Sequence, residues 1–187
     1  MNIEVQSLKA INVSSDILVI GFFNEKAPPK GLAGEMDWIL NSSLSSLVKS
    51  GKISGKVGEV VLMSSGRTKT PKILWVGLGK REAFSPPVIL KFAADLYERL
   101  EQIGAKEAYL DLWDIEGCRI DFFSALNAFL NGIFEDQKDP QRVPVIDLTF
   151  HARDKERVKE MNRTLKEINQ KSILSFRAGH ELSSQTK

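Results

Sequence analysis

Residues 72–81 read KILWVGLGKR. The apolar run Ile73–Val76, resumed at Leu78, is short, unbroken and ended by glycines. Such a run reads as a strand buried on both faces. Gly77 and Gly79 let the chain turn tightly, and Lys80 and Arg81 follow just past the strand's carboxyl end. In open α/β sheets that end is where ligands usually bind.

Working outward toward the N-terminus, residues 16–24 (DILVIGFFN) form a second continuous strand run, and Ile3–Leu8 alternates in part. Pro28, Pro29 and Gly31 break the chain after it. Leu32, Met36, Ile39, Leu40, Leu47 and Val48 recur at helical spacing, with Ser42, Ser43, Ser45 and Ser46 on the polar side. This spacing predicts one helix, ended by Gly51 as a C-cap. Residues 58–64 predict a strand, joined to the run at Ile73 by the basic, hairpin-like loop SGRTKTP at 65–71.

Toward the C-terminus, Ser85-Pro86-Pro87 opens a second helix with the stripe Ile89, Phe92, Ala93, Leu96, Leu100 and Ile103, capped by Gly104. A strand at 108–114 follows, then a third helix from about Asp121 to Phe134 with Phe122, Phe123, Leu126, Phe129, Leu130 and Ile133 inward. After the loop QKDPQR at 137–142 come a last strand at 144–151 and a fourth helix from Asp154 to about Lys171. Its seam of Val158, Met161, Leu165 and Ile168 is narrow. That reads as a surface helix packed by a thin stripe, the alternative being contact with a partner domain. Strands alternating with helices specify α/β architecture, a parallel or mixed sheet with helices on both faces.

The length of 187 residues fits one domain, 1–175, followed by a polar tail at 176–187 that reads as frayed. A chain of this size buries roughly 70% of its unfolded surface, so it needs no disulfide or metal staple. The single Cys118 excludes an internal disulfide and a cysteine-rich zinc cage. No apolar stretch approaches the ~20 residues of a transmembrane helix, so no membrane partner is expected. The start, MNIEVQSLKAINVSSD, lacks the pattern of a secretory signal, and a cytoplasmic location is the expectation.

Net charge is only +2, but its distribution is uneven. Between residues 49 and 81 stand Lys49, Lys52, Lys56, Arg67, Lys69, Lys72, Lys80 and Arg81 against the single acid Glu59. A nucleic-acid footprint has this character. So does a solvated loop whose lysines keep edge strands soluble. The second reading is preferred, because no aromatics interleave the charges as single-strand binders require.

Other constellations are sparse. Gly77-Leu-Gly79 lacks the third glycine of a dinucleotide loop, since Glu82 stands in its place, and no helix starts directly after it. An anion held by Gly77, Gly79 and Lys80 is therefore set against a purely structural turn. His151 and His180 are isolated, and Cys118 has no histidine near it in sequence. Asp111, Asp114 and Glu116 gather at a strand end, where an acid–base pair or metal could sit but a solvated turn is commoner.

In combination, ILVIGFF at 17–23, SGKVGEVVLM at 54–63 and KILWVGLGKRE at 72–82 resemble the N-terminal domain of the cytosolic leucyl aminopeptidases, two-metal metallopeptidases. VILKFAADLYERL at 88–100, GAKEAYLDL at 104–112 and FLNGIFEDQK at 129–138 follow in that family's order. The resemblance covers about residues 1–171. It implies a three-layer, macro-domain-like fold with a mixed, mostly parallel sheet of about six strands. It also implies that the metal-binding and catalytic residues belong to a following domain, so no catalytic residue, metal or cofactor is assigned here. ADP-ribose-binding macro domains use an aspartate motif and a glycine-rich phosphate loop. Asp16 precedes its strand and Ser65-Gly66 is poor in glycine, so neither is complete.

The expected role is a non-catalytic interaction or regulatory module, docking on a catalytic aminopeptidase chain or self-associating. The alternatives are a nucleic-acid-binding module using residues 49–81 and a macro-like nucleotide binder. The tail HELSSQTK favours a free-standing protein over an excised domain.

Overall fold

The computed structural model describes residues 1–25, 29–112, 115–134 and 144–183, with side chains described except at residue 10 and beyond residue 169. Pro28, Asp114 and the QKDPQR loop lie outside the described residues.

Six strands form one sheet: β1 (Ile3–Gln6), β2 (Ile17–Phe22), β3 (Val60–Ser64), β4 (Lys72–Gly77), β5 (Glu107–Asp111) and β6 (Asp147–His151). Their spatial order is β1-β6-β5-β2-β4-β3. All neighbours are parallel except β3, which pairs antiparallel with β4 through the register Val60↔Val76 to Ser64↔Lys72. This is the expected mixed, mostly parallel sheet.

The helices are α1 (Gly31–Ile39), α2 (Ser43–Lys49), α3 (Pro86–Gln102), α4 (Phe122–Phe134) and α5 (Lys155–Ser183). They cover both faces. Leu18, Ile20, Ile73 and Trp75 pack with Leu32, Met36 and Leu44 of α1 and α2. Ile17, Val19, Leu74 and Val76 pack on the other side with Phe92, Leu96, Leu126 and Phe129 of α3 and α4. Because β2 and β4 are buried on both faces, their sequences are continuous apolar runs rather than alternating ones.

Residues 32–48 form two helices, not the single helix their spacing predicts. Asn41 and Ser42 adopt left-handed backbone with φ of 56° and 57°. The cause is Asp37, a buried carboxylate on α1. It accepts hydrogen bonds from the backbone N–H of Leu44 (2.8 Å) and Ser45 (3.1 Å) and from the Ser45 hydroxyl (2.5 Å). It thus caps α2 from α1, and the helix breaks between them at Asn41 and Ser42.

The narrow stripe of α5 packs on the main core: Met161 and Ile168 are buried, and Val158 and Leu165 are partly so. Asp154 caps this helix by accepting from Arg157 N–H at 2.8 Å. Its backbone continues past residue 171 to Ser183, since no proline lies beyond Pro144 to stop it. Residues 184–187 lie outside the described residues. No described helix is long and apolar enough to cross a membrane.

Candidate functional site

The glycine turn after β4 is closed against its own chain. Gly77 and Gly79 are both buried. The N–H of Gly77 donates to the Glu59 carbonyl (2.8 Å), that of Leu78 to the Phe22 carbonyl (2.9 Å), and that of Gly79 to the Gly55 carbonyl (2.8 Å). Three donors that could have cradled an anion are used within the fold. Glycine is needed at 77 because a Cβ there would lie 2.1 Å from the Lys56 carbonyl oxygen. At Gly79, φ is +79° and a Cβ would meet Val57 Cγ2 at 2.6 Å.

The covering loop 54–59 has its own internal anion. The Glu59 carboxylate accepts from the backbone N–H of Gly55 (2.7 Å), Ser54 (2.8 Å) and Lys56 (3.2 Å). Burial pushes its pKa up, but these N–H bonds outweigh burial and hold it below the usual glutamate value. The one acid of the basic stretch is therefore the clamp of a backbone nest, with Gly55 and Gly58 both at φ +79° to shape it.

The basic residues separate in space. Arg67, Lys69 and Lys72 lie at the amino end of β4, while Lys56, Lys80 and Arg81 lie at its carboxyl end, a strand length of about 17 Å away. Arg67 is engaged structurally: its guanidinium donates to the Ile39 carbonyl (2.9 Å) and Asn41 Oδ1 (2.7 Å), fastening the α1–α2 junction. Lys52 and Lys80 are exposed. Lys49, at the end of α2, lines a different feature.

That feature is a cleft of about 1070 Å³. It opens beyond the carboxyl ends of β2, β5 and β6, and its walls include Phe22, Phe23, Leu112, Ile115, Ala152 and the start of α1. The strands β2 and β5 are neighbours, yet the helices after them lie on opposite faces of the sheet. This is a topological switch point, where the diverging connections leave a crevice. The N-terminus of α1 faces the cleft through Gly31, Leu32 and Ala33, and its N-cap residue Lys30 makes no side-chain cap hydrogen bond. Lys30, Lys49, Arg153 and Arg157 add positive charge to the rim. Arg157 is paired with Glu160 at 2.6 Å and stacks 4.2 Å from the Phe122 ring centroid.

Arg81 reaches from the glycine turn into this cleft. Its guanidinium pairs with Glu25, donates to the Glu116 carbonyl at 2.7 Å and lies 4.2 Å from the Phe23 ring centroid. On the cleft's other wall, His151 is half-buried at the end of β6. Tyr109 donates its hydroxyl to the Gln6 carbonyl (3.3 Å), and the same oxygen lies 3.1 Å from His151 Nδ1. Burial lowers the His151 pKa to about 4 and, with a further contribution from Asp111, raises that of Tyr109 to about 12. Both are neutral near pH 7.

The remaining candidates are dispersed. Asp111 and Glu116 line the cleft, and Asp114 lies outside the described residues. Asp16 sits at the opposite, amino end of β2. There it accepts from Lys106 N–H (2.8 Å) and Glu107 N–H (3.2 Å), bonds that lower its pKa. Ser65 is buried in the β3–β4 loop, where its N–H donates to the Pro71 carbonyl. Cys118 packs partly buried against the main core. The His180 side chain is outside those described. Among the described residues no three His, Cys, Asp or Glu side chains cluster as a metal site. Sequence reading missed Glu25, Lys30, Arg153 and Arg157 because they are scattered along the chain. The usable signal was position: each follows a strand or begins a helix at the sheet's carboxyl end.

Comparison with known proteins places these features. The model of the cytosol aminopeptidase family, N-terminal domain, matches residues 19–137. A probable cytosol aminopeptidase of Pasteurella multocida is 25% identical over 162 residues, covering 81% of this chain and 32% of that protein. The chain spans about a quarter to a third of the length of the first curated relatives it matches. In structure, a tomato leucine aminopeptidase mutant superposes with a TM-score of 0.60 at 20% identity, over 90% of this chain and 35% of that one. An Oceanobacillus iheyensis macrodomain with ADP gives a TM-score of 0.67 at 13% identity, over 90% of this chain and 92% of that one.

Proposed function

Because this chain belongs to the cytosol aminopeptidase family through its N-terminal domain, we propose that it acts as a non-catalytic interaction module associated with an aminopeptidase. The observation that carries this reading is the match of residues 19–137 to the family's N-terminal domain. The partner is a catalytic aminopeptidase unit, in the same chain or another, or a second copy of the domain. The direct test is hydrolysis of leucine p-nitroanilide by the pure protein with added manganese or zinc. Background rates are expected. Turnover that rises with protein concentration and disappears with chelator would overturn the reading.

The cleft favours a second reading, a small-molecule site for a nucleotide. It lies at the switch point of the sheet, has aromatic and cationic walls, and receives the start of α1, whose N-cap Lys30 adds no side-chain cap. The structural neighbour with ADP shares this fold. Calorimetry with ADP is the test: a saturable heat supports the site, and none at millimolar ligand removes it.

A further inference from the structure

Building on the nucleotide reading of the cleft, we propose that Glu25 is an internal competitor for the ligand's phosphate. It occupies the anion position at Arg81 until the ligand displaces it.

The geometry separates what holds Arg81 in place from what occupies it. Phe23 lies beneath the guanidinium at 4.2 Å from its ring centroid, and the Glu116 carbonyl accepts one N–H at 2.7 Å. Gly117 lies beside the stem, where a Cβ would meet Arg81 Cδ at 3.7 Å. These contacts are neutral, and they position the fork. Glu25 is different: it brings the opposite charge, and it pairs with Arg81 through the Nε edge of the fork. Its side chain is 39% exposed against 21% for Arg81, so the carboxylate is the partner on the solvent side. It follows Asn24, whose N–H is tied to the Gly79 carbonyl at 2.8 Å, and its own N–H donates to the Phe23 carbonyl at 2.9 Å, so its backbone is anchored while its side chain is part-exposed.

A carboxylate at this exposure is a weak occupant. A diphosphate offers more charge and more acceptor oxygens to the same fork. Lys30, Lys49 and the start of α1 line the same cleft and add to its positive potential. Displacement would leave Glu25 to water at little cost, because it is already part-solvated. The exchange makes the cleft selective for multiply charged phosphates over carboxylates. A single carboxylate gains nothing by replacing Glu25, whereas a diphosphate gains contacts that Glu25 cannot make.

The test is calorimetric titration of ADP, with adenosine as the phosphate-free control, into four proteins. These are the wild type, Glu25→Gln, Arg81→Ala and Glu82→Gln. The last removes the same charge beside Arg81 from an exposed residue outside the cleft lining. Glu25→Gln is expected to bind ADP roughly threefold to tenfold more tightly than wild type, the range set by a part-exposed ion pair. Its affinity for adenosine should be unchanged. Glu82→Gln should shift ADP affinity less than about twofold. Arg81→Ala should lose at least about tenfold. Thermal melts show whether that variant is folded, and Glu25→Gln decides the matter without it.

ADP binding that is equal in wild type and Glu25→Gln would overturn the competitor while leaving the nucleotide site standing. Equal tightening by Glu82→Gln would overturn it in favour of bulk charge. No ADP binding by wild type or Glu25→Gln would remove the site and the competitor together. Binding by Glu25→Gln with none by wild type would support both.

Discussion

Two turns at the same end of one sheet have opposite fates. The turn after β4, Gly77–Gly79, is covered by loop 54–59, and its N–H groups all donate to the chain itself. The crevice after β2 and β5 stays open, lined by the start of α1 and by cations from separate elements. Each also contains a glutamate. Glu59 is held by three backbone N–H groups and completes a closed nest. Glu25 pairs with the Arg81 side chain at the part-exposed edge of an open crevice. Glycines and cations after a strand mark a place where a site can form. Whether one forms depends on where the backbone donors go.

Substitutions grade this contrast by size. Gly77→Ala should have the largest effect, because its Cβ would sit 2.1 Å from the Lys56 carbonyl oxygen and neither backbone can yield cheaply. A loss of about 3 kcal/mol or more is expected in urea unfolding, or failure to fold. A stable Gly77→Ala protein would mean that the turn is looser than its hydrogen bonds indicate.

Next comes a pH effect at the cleft wall. The His151 pKa of about 4 lies below its ordinary 6.5, so folding favours the neutral ring. The stability tied to this preference is complete above about pH 6.5 and is lost as pH falls through 4. It amounts to at most ~3 kcal/mol, less whatever solvent screens from the half-buried ring. Wild type should therefore lose more stability than His151→Phe over this window in chemical denaturation at stepped pH. Parallel curves would show that the ring is not buried as described.

Glu59→Ala should cost about 2 kcal/mol, since it strips a charged acceptor from three loop N–H groups. Glu25→Gln should change stability by less than about 0.5 kcal/mol, as a part-exposed pair contributes little. Thermal melts of the two side by side test whether one glutamate is structural and the other replaceable. Similar losses would erase the distinction.

Much of the fold was legible because burial on both faces writes itself as continuous apolar runs. Ile17–Phe22 and Ile73–Val76 needed no partner sequence to be read as central strands. The stripe from Ile89 to Leu100 likewise identified α3 and its buried face. The break between α1 and α2 was not legible. It depends on Asp37 reaching seven and eight residues ahead to cap the next helix, a tertiary contact hidden under intact helical spacing. The cleft was less legible still. Arg81 was read as one of a run of charges, but its partners Glu25 and Glu116 lie 56 and 35 residues away in the chain. Charge counted along the sequence joined Lys72 to Lys80, which the strand between them holds apart.

Amide hydrogen exchange tests the contrast most directly, first on the protein alone and then with ADP. Exchange at Gly77, Leu78 and Gly79 should be as slow as in the central strands, because opening the Gly77 and Gly79 bonds requires loop 54–59 to lift and opening the Leu78 bond requires the chain to part from the end of β2. Exchange at Gly31, Leu32 and Ala33 should be fast, and ADP should slow it there without altering residues 77–79. Fast exchange at 77–79, or ADP protection appearing there instead of at 31–33, would contradict the assignment of the closed turn and the open cleft.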